Sequence, residues 1–210
     1  MTVVSVGGGL AYGALGYSHH AVQDYALMRS FPHMLIAAPG DPMEVRACMR
    51  YLVDNPQPSY LRLGKAGEPN FHVTVPRITP GSWLRVASGA QNHGSHEILL
   101  STGATLGIAM NWHQSPEFAH CDVYSMPLWS MQSKSLQKDC AQTIKTLHTL
   151  EDHLLDGGFG SWMMEALMPH TRMHTRIQCH SLSAAVCGMV GSQSLLNDLG
   201  GLSKPTLFDN

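Results

Sequence analysis

Seven short runs rich in β-branched and apolar residues recur along the chain with helical patterns between them: VVSV at 3–6, MLIAA at 34–38, YLRL at 60–63, EILLS at 97–101, DVYSM at 122–126, KTLHTL at 145–150 and TRIQC at 175–179. Strands that alternate with helices over short connections pair in parallel, because each helix carries the chain back to the same end of the sheet. The fold class this implies is α/β. Asp41-Pro42-Met43-Glu44 reads as a helix start, with Asp as cap, Pro in the first turn and Glu three residues on. Val45, Cys48, Met49 and Leu52 then share a face, and Asn55-Pro56 stops the helix. An earlier helix is expected from about Ser18 to Ser30, with Val22, Tyr25 and Ala26 inward. From Lys65 to Ser95 seven Gly and Pro residues interrupt every period. That stretch divides the chain into residues 1–65, a linker at 66–95 with room for a short hairpin, and a second domain at 96–210.

Two hundred and ten residues, 44% of them hydrophobic, are enough to bury a substantial core. Charged residues make up 13% and the net charge is −2, so the chain lacks the basic field that draws nucleic acids or anionic membranes. No apolar run approaches the roughly 18 residues of a membrane span, and the N-terminal segment has no basic n-region of a signal peptide. A cytoplasmic protein is expected. Five cysteines, an odd number without a CxxC pair, argue for free thiols in apolar surroundings rather than disulfides or a zinc cage. Low charge with 20 Gly, 13 Met and 13 His suits a surface that faces other protein.

The first strand runs into Gly7-Gly8-Gly9 and on through Gly13 and Gly16 to Ser18-His19-His20. Glycines permit close backbone approach, free amides at a helix start attract anions, and imidazole exchanges protons near neutral pH. A small phosphorylated substrate would suit such a turn; a plain glycine-rich turn with two surface histidines would look the same. It is neither a GxGxxG dinucleotide fingerprint nor a Walker loop. Glu151-Asp152-His153 puts acid beside imidazole, but neighbours on a strand face opposite sides, and the following GGFGS reads as a strand-to-helix turn capped by Ser161. His93, His96, His170, His174 and His180 lack ligand spacing and read as surface imidazoles, and no metal site is expected. Met163, Met164 and Met168 read as core or interface filler on one helix.

The segment GALGYSHHAVQDYALMRSFPHMLIAAPGDPMEVRACMRYLVDNPQPSYLRLGK resembles the end of the pyrimidine-binding domain of transketolases and deoxyxylulose-phosphate synthases. The matching pieces are Gly13 to His19, Arg29-Ser30-Phe31-Pro32, Pro39-Gly40-Asp41 and Tyr60 to Lys65. ILLSTGATL at 98–106, VYSMP at 123–127, LEDHLLDGGFGS at 150–161 and VGSQSLL at 190–196 are similar to successive parts of the transketolase C-terminal domain.

The resemblance implies part of a parallel-sheet pyrimidine domain followed by an α/β domain with a mostly parallel five-stranded sheet. It implies His19 as the catalytic histidine that reaches the sugar hydroxyls of the donor, Lys65 at the place of a phosphate-binding arginine, and Arg62 as its assistant. Leu15 stands where the family has a substrate aspartate, and Gly7 where it has another histidine, which removes two hydrogen-bond partners from an ordinary ketose phosphate. The activating glutamate, the aromatics around the aminopyrimidine and the magnesium motif belong to parts of the family pattern this sequence does not contain. Thiamine diphosphate and Mg2+ are therefore expected only in a complete assembly, on a partner chain with the diphosphate-binding domain and the rest of the pyrimidine domain. The region of residues 150–161 is implied to make subunit contacts. The expected activity is two-carbon ketol transfer between sugars or sugar phosphates, absent from the chain alone. A non-catalytic scaffold or oligomerisation module of the same family is the alternative, and a pyruvate-dehydrogenase β-type domain a third reading.

Overall fold

Each of the seven β-rich runs becomes a strand, and two strands form where the sequence pattern is too short or too broken to show one. The computed structural model describes residues 1–90, 96–168 and 174–202. The first sheet is built from β1 (Thr2–Val6), α1 (Asp24–Arg29), β2 (Leu35–Ala37), α2 (Pro42–Asp54) and β3 (Ser59–Leu63). The rest of the chain adds β4 (Leu84–Ala87), β5 (Glu97–Ser101), α3 (Leu106–His113), β6 (Asp122–Ser125), β7 (Leu128–Trp129), α4 (Gln137–Ala141), β8 (Thr146–Leu154), α5 (Phe159–Leu167), β9 (Arg176–Leu182) and α6 (Gln193–Asn197). One sheet has the order β1-β3-β2-β7 and the other β4-β6-β5-β8-β9. All pairings are parallel except those of β7 with β2 and of β4 with β6. The α/β class and the five-stranded, mostly parallel second sheet are as expected.

The helix start at Asp41 follows the sequence reading. Glu44 N–H donates to Asp41 Oδ1 at 2.7 Å, and the Glu44 carboxylate reaches back to the Gly40 N–H at 2.7 Å. Ala47, Cys48 and Leu52 are buried under the sheet, whereas Met49 is exposed. The helix expected from Ser18 to Ser30 is shorter: a 3-10 turn covers Tyr17–His19, and α1 begins only at Asp24. Reciprocal backbone bonds between Gly9 and Ala21, at 3.0 and 2.9 Å, pinch the loop and hold residues 10–20 out of helical register.

The stretch at 66–95 is more than a connector, since β4 within it adds an antiparallel edge to the second sheet. β7 is lent in the other direction, with Ile36 opposite Trp129 and Ala37 opposite Leu128. Tyr25, Ile36, Ala38 and Tyr60 from the first 65 residues pack in one cluster with Leu100, Met126, Trp129, Phe159 and Trp162 from the rest of the chain. That shared core, at about 1.5–3 kcal/mol per large apolar side chain buried, ties the two sheets together. Of the three methionines expected on one helix, only Met163 is buried; Met164 and Met168 are exposed, and Met168 lies just past the end of α5. Among the described residues, no helix is long and apolar enough to cross a membrane.

Candidate functional site

Strands β1 and β3 end side by side, and the residues singled out in the sequence follow those two ends. Gly7 N–H donates to Leu63 O at 2.9 Å and Gly8 N–H to the same oxygen at 2.9 Å, so the Gly7-Gly8-Gly9 turn crosses directly over the end of β3. Gly7 has φ 95° and Gly9 φ 63°, left-handed values that a side chain would strain. The close approach these glycines permit is to the chain's own side chains. A Cβ on Gly8 would stand 2.8 Å from the Arg62 guanidinium carbon, and one on Gly9 would run into the Asp152 carboxylate. The glycine run therefore makes room for an ion network, not for a phosphate.

Arg62, expected beside Lys65 as a substrate residue, is 2% exposed and sits at the centre of that network. Its Nε donates to Asp24 Oδ2 at 2.7 Å, Nη1 to Asp152 Oδ1 at 2.5 Å and to Tyr25 Oη at 3.2 Å, and Nη2 to Ala21 O at 2.8 Å. Tyr60 Oη adds a further donor to Asp24 Oδ2 at 2.8 Å, and the guanidinium lies 4.3 Å from the Tyr25 ring centre. Burial opposes the charge, but Asp152, Tyr25 and Asp24 outweigh it and raise the Arg62 pKa further above its ordinary value. The side chain is engaged from every nitrogen and turned away from solvent. It belongs to the joint between the sheets, because Asp152 comes from β8.

The Glu151-Asp152-His153 run is likewise consumed by structure. The Glu151 carboxylate accepts the Phe159 N–H at 2.5 Å and the Gly160 N–H at 2.8 Å, so it caps α5 from across the turn. Ser161, expected as that cap, instead donates its hydroxyl to Gly158 O at 3.0 Å. Burial pushes the Glu151 pKa up to about 8 against the pull of those two amides. His153 stacks on Tyr25 with ring centres 5.1 Å apart, and its Nδ1 lies 2.6 Å from Leu154 O, the acceptor that holds the Nδ1–H tautomer. These residues join the two sheets within one chain.

His19 and Lys65 are exposed. Ser18 Oγ lies 3.0 Å from His19 Nδ1, which restrains the exposed ring. Next to it His20 is half-buried, and both of its ring nitrogens are shut off from solvent with no hydrogen-bond partner. An unsatisfied buried imidazole costs on the order of 1–3 kcal/mol, so His20 is the group at this turn most in need of a partner. Lys65 lies in the wall of a cavity of about 690 Å³ together with Glu68, Asp152, Trp112, Asn197 and Asp198. His19 is not part of that wall. Burial, with help from Asp152 and Asp41, pushes the Glu68 pKa up to about 7. The two expected substrate residues thus follow adjacent strand ends without sharing the cavity.

Among the described residues, nothing at these strand ends makes a cage for a diphosphate or its metal. Asp24 and Asp152 each give one oxygen to Arg62, while Asp24 Oδ1 and Asp152 Oδ2 have no hydrogen-bond partner, and among the described residues no lysine or arginine but Arg62 pairs with them to hold a phosphate. The residues present do not by themselves fit thiamine diphosphate.

An α/β protein with these two sheets is of the transketolase type. Residues 1–67 match the transketolase pyrimidine-binding domain family. A subunit of an apulose-4-phosphate transketolase from Phocaeicola vulgatus is 44% identical over 173 residues, covering 79% of this chain and 52% of that protein. A 1-deoxy-D-xylulose-5-phosphate synthase from Thermus thermophilus is 31% identical over 160 residues, 74% of this chain and 24% of that protein. Among solved structures, a split-gene transketolase described as an inactive β4 tetramer superposes with a TM-score of 0.75 at 23% identity, covering 97% of this chain and 62% of that one; the likeness is one of fold. The chain belongs to the transketolase family and corresponds to its C-terminal section. It spans about half the length of the apulose-4-phosphate transketolase subunits it matches.

Proposed function

We propose that this chain forms part of a split, thiamine-diphosphate-dependent transketolase-like enzyme of the cytoplasm that transfers a two-carbon ketol unit between phosphorylated sugars. The observation that carries the reading is the 44% identity to an apulose-4-phosphate transketolase subunit, together with the exposed Ser18-His19 turn. A partner chain supplies thiamine diphosphate and Mg2+. His19, held by Ser18, donates to or accepts from a substrate hydroxyl, the kind of contact worth roughly 10²–10⁴-fold when it moves a proton. Lys65 lines a cavity that His19 does not share, so it supplies its point charge to the phosphate of the same substrate where the partner chain completes a pocket between the two strand ends. Arg62 acts behind it by fixing the end of β3. Leu15, 59% exposed on the same loop, offers the substrate an apolar surface where an acceptor would otherwise stand.

The test is reconstitution with the chain that bears the diphosphate-binding domain. The mixture is expected to bind thiamine diphosphate by calorimetry and to transfer ketol units, and His19→Ala is expected to lower kcat/KM by about a hundredfold or more. Absence of cofactor binding in the mixture refutes the reading. Cofactor binding with unchanged turnover in His19→Ala favours the scaffold.

A further inference from the structure

The N-terminal ends of β5, β6 and β8 gather a second group of side chains, at the opposite edge from Gly103, whose N–H meets Ala38 O of the first sheet at 2.9 Å. Glu97 opens β5, His120 and Cys121 immediately precede β6, and His148 is the third residue of β8. We propose that Glu97, His120 and Cys121 bind a zinc-like divalent cation, with His148 as the fourth donor.

One ligand atom from each of Glu97, His120 and Cys121 falls within 4.8 Å of the others. His120 Nε2 lies 3.3 Å from Glu97 Oε2 and 3.6 Å from Cys121 Sγ. Zinc–ligand bonds of about 2.0–2.3 Å at tetrahedral angles put nitrogen and oxygen donors about 3.4 Å apart, and nitrogen and sulfur donors about 3.6 Å apart. The observed spacings are those edges.

His148 is the independent indication. It is 5% exposed, its Nε2 is buried with no hydrogen-bond partner, and that nitrogen faces Glu97 Oε2 from 3.8 Å, too far for a hydrogen bond. Its Nδ1 lies 3.1 Å from His180 Nε2, a contact that needs one proton between the two rings. With that proton on His148, the bare Nε2 lone pair points at a carboxylate, an arrangement a cation between them resolves. A ligating imidazole commonly gives its other N–H to such an outer partner. His180, read from the sequence as a surface imidazole, is packed edge-on to Trp112 with ring centres 4.9 Å apart and fixes this orientation.

Cys121 has the expected apolar setting, in one cluster with Leu99, Phe118 and Val123, and adds a thiol to the group at its edge. It is fully buried, and its Sγ lies 3.6 Å from His120 Nε2. On cation binding the thiol proton leaves to solvent, and the thiolate takes its place as a ligand. The side chains of His120 and Glu97 are 25% and 22% exposed, which leaves an entry path. Thiolate, imidazole and carboxylate together suit zinc better than Mg2+ or Ca2+.

Cobalt replaces zinc as a visible probe. The metal-stripped full chain is expected to take up one Co2+ with a thiolate-to-cobalt charge-transfer band. Cys121→Ser is expected to abolish the band, Glu97→Gln to weaken uptake about tenfold or more, and Cys140→Ser at the exposed thiol to change neither. A band that is missing from the parent, that survives Cys121→Ser, or that is lost in Cys140→Ser overturns the site. Should Cys121→Ser not fold, unchanged affinity in Glu97→Gln overturns it equally.

Discussion

Arg62 separates two roles that the sequence pattern leaves superposed. As a substrate ligand its loss would raise KM with stability intact; as the buried centre of a network with Asp24 and Asp152 it would strand two carboxylates. Removing one partner from a buried ion pair costs about 3–5 kcal/mol, so Arg62→Met is expected to lower urea stability by that order. A midpoint within experimental error of the parent would restore the substrate role. The strand end at Lys65 and the turn at His19 are readable because family motifs carry them. Arg62's burial is not, because its second carboxylate, Asp152, lies 90 residues away in sequence. The Glu97, His120 and Cys121 group is hidden for the same reason: no local spacing marks ligands drawn from two strand ends.

At the scale of elements, patterns of period two and 3.6 reveal every strand of four or more residues except β4. β7 is two residues long, and β4 carries Arg85 on an exposed edge amid Gly and Pro. Helix boundaries are legible where the cap is local, as at Asp41, and misread at α5, whose cap reaches it from β8. That cap makes the stability of the element depend on pH. The folded Glu151 carboxyl holds its proton up to about pH 8, whereas an unfolded one loses it near its ordinary 4.5. Between those values unfolding releases a proton, so stability falls as pH rises through this window, by at most about 1.4 kcal/mol per pH unit. Glu151→Gln removes the titration and, by leaving an amide of the cap poorly paired, costs about 1–3 kcal/mol. Denaturant curves from pH 5 to 8 are expected to show the gap between parent and variant closing as pH rises; parallel curves would exclude the assignment.

For the whole molecule, the decisive surface is β1. It is the edge of the first sheet, with a free row of backbone groups and with Val4 and Val6 each 57% exposed. Tyr17 and Leu15 extend the apolar area beyond its end, each 59% exposed. An uncovered edge strand with valines outward is a template for pairing, which folded proteins ordinarily block with charge or cover with other structure. The second sheet cannot cover it, since β7 already occupies the other edge of the first. On the proposed function, that edge is expected to be covered by another polypeptide segment, such as the partner chain or a second copy. Val4→Lys with Val6→Lys places charge on that edge at positions where substitution changes folding by only about 0.5 kcal/mol. Size exclusion with light scattering, alone and with the partner, is expected to show the parent associated and the double variant monomeric at an unchanged urea midpoint. A parent that stays monomeric in both conditions would mean that β1 is an edge the protein tolerates, and that the joining surface lies elsewhere.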